Sequence, residues 1–346
     1  MGGRALKEHG VSRLDHNTYV RLSSKVMDAL AAALADLGAT DAAQLVPSLR
    51  EKTSHGDIDV VVPEASFVGK PHTLIKALAK QLGVETIEYK QGGNILNCVL
   101  HDGEQAYQVD LICVKQESLA FAVSYLSWND VSTILLRVVS RMGLCIGING
   151  LSLTISQGTN KLGRVMLTRD YKEALTHLGL DAERWSQGFN NLEEVYEFFA
   201  QWHGFHPNIF ALEKMSPMDV KSVMKRPGYL AFVEWIANHP EKLKRFDWHA
   251  YKQTARENLW LKFPVAKADY DALFADIQRG KDCQAKFNGH QIGEITGYTG
   301  KQLGDFIIDF KKRFKDQREF QEYVLATEQD MINSDIAAHL RHTQHQ

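Results

Sequence analysis

No stretch of this 346-residue sequence approaches the ~20 consecutive apolar residues that a membrane-spanning helix requires. The opening MGGRALKEHG lacks the apolar core of a secretion signal, so a cytoplasmic protein with no membrane partner is the expectation. Cysteine is scarce. Cys98, Cys113, Cys145 and Cys283 lie far apart with no CxxC pair, which argues against a disulfide framework or a zinc site and for buried, reduced thiols. Histidines show no HExxH or other ligand spacing, and His203, His206, His249 and His290 read as structural. Charge of one sign is lacking too. With 40 Lys and Arg against 42 Asp and Glu, the formal net charge is −2, so a polyanion would have to be held by local basic patches.

What is present is an ordinary globular composition, 44% apolar and 24% charged, in a chain long enough for two or three compact units. Apolar residues at helical spacing from Tyr19 to Leu37, closed by Gly38, predict an amphipathic helix. A short strand is expected at Ala43–Pro47, then a polar turn from Ser48 to His55 and a strand from Asp57 to Val62. Thr73–Leu82 reads as a helix. Asn94–Leu100 and Ala106–Val114 read as strands joined through Asp102-Gly103. A helix over Val131–Met142 and a hairpin of Leu151–Ile155 with Leu162–Leu167 follow. From Tyr171 onward the periodicity is helical, as in NNLEEVYEFFAQW, YLAFVEWIANH, YDALFADIQR and FQEYVLATEQDM, and the tail HLRHTQHQ is expected to fray. The pattern shifts near residues 165–190 from a mixed front half to a helical back half.

The chemistry sits in the front half. On a strand, Asp57 and Asp59 share a face while Ile58 points to the core. Two carboxylates side by side repel unless a cation lies between them, and a hard dication such as Mg²⁺ takes oxygen ligands in that arrangement. Asp110, inside the apolar strand Tyr107–Ile112, offers a third. Such a set can hold two ions, one lowering the pKa of an attacking hydroxyl and the other stabilising the leaving oxygen of a phosphoryl displacement. A lone DxD is commonly a solvated strand end. Here, however, Ser48 and Arg50 precede the pair by a short turn and suit a triphosphate.

VPSLREKTSHGDIDVVV, with VDLI around Asp110, resembles the signature of the polymerase-beta-like nucleotidyltransferase superfamily. YLSWNDVSTILLRVVSRMGLCIGINGLSL and LTRDYKEALTHLGL resemble the segment that follows in family X DNA polymerases, so that the likeness spans about residues 43–181. The resemblance implies an α/β (α+β) nucleotidyltransferase palm with a mixed β-sheet at 1–116, a thumb-like subdomain at 117–190 and a mostly helical domain at 191–346. It makes Asp57, Asp59 and Asp110 both catalytic and metal-binding, with two Mg²⁺ ions, or Mn²⁺ in their place. Ser48, Arg50 and Gly56 would cradle the nucleotide, Tyr125 would lie beside its sugar and Arg137 would face it. Two departures stand out. Pro47 replaces the glycine of a Gly-Ser turn and lacks its N–H, and Leu126 replaces the second aromatic of a pair.

In the back half, FNGHQIGEITGYTGKQLGDFIIDFKKRF resembles a C-terminal segment of tRNA nucleotidyltransferases and bacterial poly(A) polymerases. Basic residues cluster around aromatics there, and Lys244, Arg245, Lys252, Arg256, Lys311 and Lys312 are candidates for holding an acceptor strand. The expected activity is transfer of NMP from an NTP or dNTP to the 3′-hydroxyl of a nucleic acid, template-independent, with tRNA-like RNA favoured over DNA. A template-directed repair polymerase is the first alternative. The second is a regulator or toxin-like enzyme that modifies a protein or small molecule.

Overall fold

Asp15 sets the start of the first helix: its carboxylate accepts the Thr18 amide at 3.0 Å and ends the two-residue strand β1 (Leu14–Asp15). The helix, α1 (His16–Asp36), buries Tyr19, Leu22, Val26, Leu30 and Leu34 along one stripe and stops before Gly38. The computed structural model describes residues 6–39, 42–64, 70–129, 131–157, 160–243 and 247–344. After α1 come β2 (Gln44–Leu45), β3 (Ser54–His55), β4 (Ile58–Pro63), α2 (Pro71–Leu82), β5 (Glu88–Gly92), β6 (Ile95–Asp102) and β7 (Gln105–Val114). Five of these strands form a sheet in the order β2-β4-β7-β6-β5. It is mixed, because β4 and β7 run parallel while the other pairs are antiparallel.

The apolar run of β4 is explained by cover on both faces. Ile58, Val60 and Val62 join the core under α1 and α2, whereas Val61 packs with Val46, Ile112 and Val114 on the other side. That second face is roofed by α3 (Leu119–Leu126), which supplies Leu119 and Ala122. Next come α4 (Val131–Arg141), β8 (Leu144–Gly147), β9 (Gly150–Gln157) and β10 (Asn160–Thr168), whose strands form a sheet in the order β10-β9-β8. The remainder is helical: α5 (Tyr171–His177), α6 (Ala182–Gln187), α7 (Leu192–Ala200), α8 (Pro217–Val223), α9 (Pro227–Asn238), α10 (Trp248–Glu257), α11 (Leu259–Lys262), α12 (Pro264–Lys286), α13 (Gly289–Thr296), α14 (Gly300–Lys311), α15 (Gln317–Ala326) and α16 (Gln329–Gln344).

The mixed front and helical back halves are as expected, but the units divide elsewhere. One comprises residues 1–154 and 164–266, the other 155–163 and 267–346. Residues 191–266 therefore belong with the front half. An aromatic cluster ties them to it: Trp185, Phe189, Phe198, Phe199 and Phe232 meet in a chain of ring contacts 5.3–6.2 Å apart. The second unit has its own core of Phe287, Ile292, Phe306, Phe310, Phe320, Val324, Ile332 and Ile336. Here two expectations fail. FQEYVLATEQDM is broken between α15 and α16 at Thr327. The tail is helical to Gln344, pinned by the nearly buried His339, which contacts the rings of Phe306 and Phe310 and lies 3.1 Å from Asp309. No single helix among the described residues is long and apolar enough to cross a membrane.

Candidate metal centre and cleft

Parallel pairing of β4 with β7 sets Asp59 opposite Asp110, and the two-residue period places Asp57 on the same side, one step before β4 begins. One carboxylate oxygen from each of Asp57, Asp59 and Asp110 lies within 4.8 Å of the others. All three are half-buried and line a cleft of about 670 Å³ in the first unit. The sheet then orients Asp110. Asn97, its register partner on β6, and Gln108, two residues back on β7, each donate a side-chain amide to its Oδ1 at 2.8 Å. Burial pushes the Asp110 carboxyl up to about 6. The Asn97 and Gln108 bonds oppose that shift, and the Asp57 charge reinforces it.

The turn before β4 is braced from α1 and β1. His55 is buried and its ring stacks on Tyr19 at 3.7 Å. Its Nε2–H donates to the Lys52 carbonyl at 3.2 Å. Desolvation first, and the Lys52 charge second, hold this imidazole down at about 4, so it stays neutral. Tyr19 also lines the cleft. Burial, then the charges of Asp59 and Asp57, push its hydroxyl up to about 12, with Ser48 in hydrogen-bond contact. Arg13 clamps the turn from β1's side, Nε donating to Ser54 Oγ and Nη2 to the Ser54 carbonyl, both at 2.8 Å.

A second loop, Ser127–Asn129, lies against the Ser48 turn. Trp128 and Asn129 both adopt left-handed backbone, each with φ of 67°, a conformation that costs about 1–2 kcal/mol for a residue with a Cβ. Packing offsets that cost. The Trp128 amide donates to the Pro47 carbonyl at 3.0 Å, and its indole fills a notch at Gly188. A Cβ at Gly188 would come within 3.0 Å of three indole carbons, and its φ of +78° also favours glycine. Pro47 thus contributes through its carbonyl, the group that proline retains. Asn129 is left facing Lys52, whose Nζ donates to Asn129 Oδ1 at 2.8 Å.

Of the residues expected at the site, Asp57, Asp59, Asp110, Ser48, Gly56 and Tyr125 all line the cleft. Arg50 is not among the lining residues. It is exposed and reaches away to residues 187–190, donating to Asn190 Oδ1 at 3.0 Å and to the Gln187 carbonyl, so it ties two loops together. Arg137 also turns elsewhere: it is buried and lies 3.1 Å from Asp219 of α8. The expectation that it faces the cleft is corrected by that ion pair, which holds the guanidinium on the covered side of α4 through one terminal nitrogen while its Nε is buried without a hydrogen-bond partner. Sequence reading missed Lys52, Tyr19 and the far wall, where Leu192 and Tyr196 come from α7, Ser222 from α8 and Arg226 from the position just before α9. A lysine inside the motif turn was the one signal available.

The acceptor candidates are dispersed. Lys244 and Arg245 lie outside the described residues. Lys252 is half-buried and Arg256 exposed on α10 of the first unit. Lys311 and Lys312 belong to the second unit, where Lys311 sits 4.9 Å from the Phe320 ring centre and Lys312 pairs with Asp309 at 3.2 Å. Tyr251, next to Lys252, packs edge-on against Trp202 and donates its hydroxyl to the Leu178 carbonyl, which is a core role.

An oxygen-only donor set with half-buried negative charges fits a hard divalent cation of the Mg²⁺ or Mn²⁺ kind better than a soft one. No protein-family model matches this sequence, and no curated protein matches it either.

Proposed function

We propose that the protein is a metal-dependent nucleotidyltransferase that moves NMP from a nucleoside triphosphate onto a hydroxyl of a nucleic acid, RNA before DNA. The observation that carries this reading is the clustering of Asp57, Asp59 and Asp110 on paired strands at the wall of a cleft of about 670 Å³. Divalent cations held there would neutralise phosphate charge and lower the pKa of the attacking hydroxyl. Asp57 and Asp59 would anchor them. Asp110, held by Asn97 and Gln108, would help activate the hydroxyl by taking its proton as the oxygen attacks the α-phosphorus and the bond to pyrophosphate breaks. Tyr125 and the apolar side chains of Leu126, Leu136 and Leu192 offer a slot for sugar and base.

The test is incubation with Mg²⁺, each labelled NTP or dNTP, and in turn total RNA, primer DNA, or primer with template. Label should enter a nucleic acid with the wild type, and Asp59→Ala should lower incorporation by ~10³-fold or more, as loss of transition-state charge stabilisation does. Incorporation undiminished in Asp59→Ala would rule the mechanism out. Incorporation only with a template would make the protein a polymerase of the repair type.

A further inference from the structure

We infer that Lys52 is a further substrate-binding residue of this cleft, the cation that grips the nucleotide's polyphosphate, and that Asn129 positions it. The inference rests on the nucleotidyl-transfer reading and supplies a contact that Arg50 was expected to make. Arg50 cannot make it from where it stands, bonded to Asn190 and Gln187 and absent from the cleft wall.

Among the described residues, three cations line the cleft: Arg13, Lys52 and Arg226. Arg13 is bonded twice to Ser54 and holds the turn in place. Arg226 precedes α9 on the far wall, where its charge is felt by Tyr125. Lys52 is different. It stands on the same turn as Ser48 and Asp57, half-buried, with its ammonium held at 2.8 Å by Asn129. The Asn129 amide oxygen accepts that hydrogen bond and so fixes where the ammonium sits. Lys52 and the three carboxylates line the same cleft, so a polyphosphate whose α-phosphate lay at the carboxylates would extend along a wall to which Lys52 belongs.

The backbone around Asn129 points the same way. Two consecutive non-glycine residues, Trp128 and Asn129, hold positive φ at the edge of the cleft. Strain of this kind persists where surrounding structure over-determines it, and it concentrates at ligand sites. Here the constraint is visible: the Trp128 indole is seated against Gly188 and stands edge-on to Phe189 at 5.9 Å. The strained turn delivers one polar group, the Asn129 amide, to one cation.

Titration calorimetry of the full chain in Mg²⁺ with inorganic triphosphate as the probe tests this, beside the thermal shift caused by Mg²⁺ alone. Lys52→Gln should weaken inorganic triphosphate at least ~10-fold, a typical effect of losing one charge-assisted phosphate contact, while leaving the Mg²⁺ shift intact. Lys52→Arg should recover most of the affinity, which a purely structural role of the lysine would not predict. Asn129→Gly, which keeps the left-handed backbone and deletes the amide, should weaken the same probe ~3-fold or more. Wild-type affinity in Lys52→Gln would overturn the inference while label incorporation by the wild type still upheld nucleotidyl transfer. No triphosphate binding by a wild type that also incorporates no label would overturn both. If Lys52→Gln fails to fold, Lys52→Arg and Asn129→Gly decide: wild-type affinity in Asn129→Gly together with no binding by Lys52→Arg overturns it.

Discussion

At the scale of single residues, the candidate centre is a place where stability is given up. Asp110 is half-buried beside two more carboxylates, and burial and the Asp57 charge both oppose its ionised form. Asparagine has the same shape and can still accept from Asn97 and Gln108 through its carbonyl oxygen. Asp110→Asn should therefore leave the metal-free protein as stable as the wild type or raise it by about 1 kcal/mol, the scale on which removing unfavourable buried charge is felt. It should also abolish most of the stabilisation by Mg²⁺, which for an intact site reaches about 2.7 kcal/mol at a hundredfold excess over Kd. Thermal melts in EDTA and in Mg²⁺ measure both. A wild type stabilised by Mg²⁺ no more than the variant would remove the triad as a metal centre. Asp57 and Asp59 were legible in the sequence because a period of two and an apolar neighbour suffice to pair them. The partners of Asp110 were less so, since Asn97 reaches it only through a strand register that composition does not encode.

At the scale of elements, the covered face of α4 is joined to α8 by Arg137 and Asp219. Partial burial alone would raise the Asp219 carboxyl, but hydrogen bonds from Ser216 and Arg137 and the Arg137 charge outweigh it, and the net shift is downward. A carboxyl with a depressed folded pKa contributes stability above its unfolded value, near 3.9, and loses that contribution as pH falls through the folded value. Tyr229, also against Arg137, is pushed up to about 12 by burial and stays protonated throughout. The melting-temperature gap between wild type and Asp219→Asn should thus be steady from pH 7 to about 5 and close below about 4. A gap that widened in acid would show that the pair is not what holds α8 to α4. This pairing was invisible in the sequence, since 82 positions separate the partners. For the same reason Arg137 was expected at the cleft. Elements with a clear period, such as α1 and β7, were readable. β5 was not: Glu88–Gly92 is exposed throughout and shows no apolar alternation, because it pairs on one side only, at the sheet edge. The cleft's far wall was equally hidden, because Leu192, Tyr196 and Arg226 reach the carboxylates only through packing of the aromatic cluster, not through proximity in the chain.

At the scale of the whole molecule, the chain divides into two compact units, and the candidate metal centre and cleft lie entirely within the first. The second unit buries Phe310 completely, between Phe287 and His339, with Phe306 and Phe320 in the same cluster. Truncating such a phenylalanine to alanine costs about 3–5 kcal/mol through lost burial and the cavity left behind. A helical unit of this size is marginal to begin with, so that loss is enough to unfold it. Phe310→Ala should therefore abolish or sharply lower one calorimetric transition. The other should keep its midpoint and its displacement by Mg²⁺, because all three carboxylates belong to the first unit. The same variant then asks what the second unit contributes. Transfer of label to a short oligonucleotide should survive with only the first unit folded if Lys252 and Arg256 suffice to hold the acceptor, and should fall if Lys311 and Lys312 are needed. Two outcomes would defeat this account of the architecture: a single transition that moves as one in Phe310→Ala, or loss of the Mg²⁺ response together with the second core.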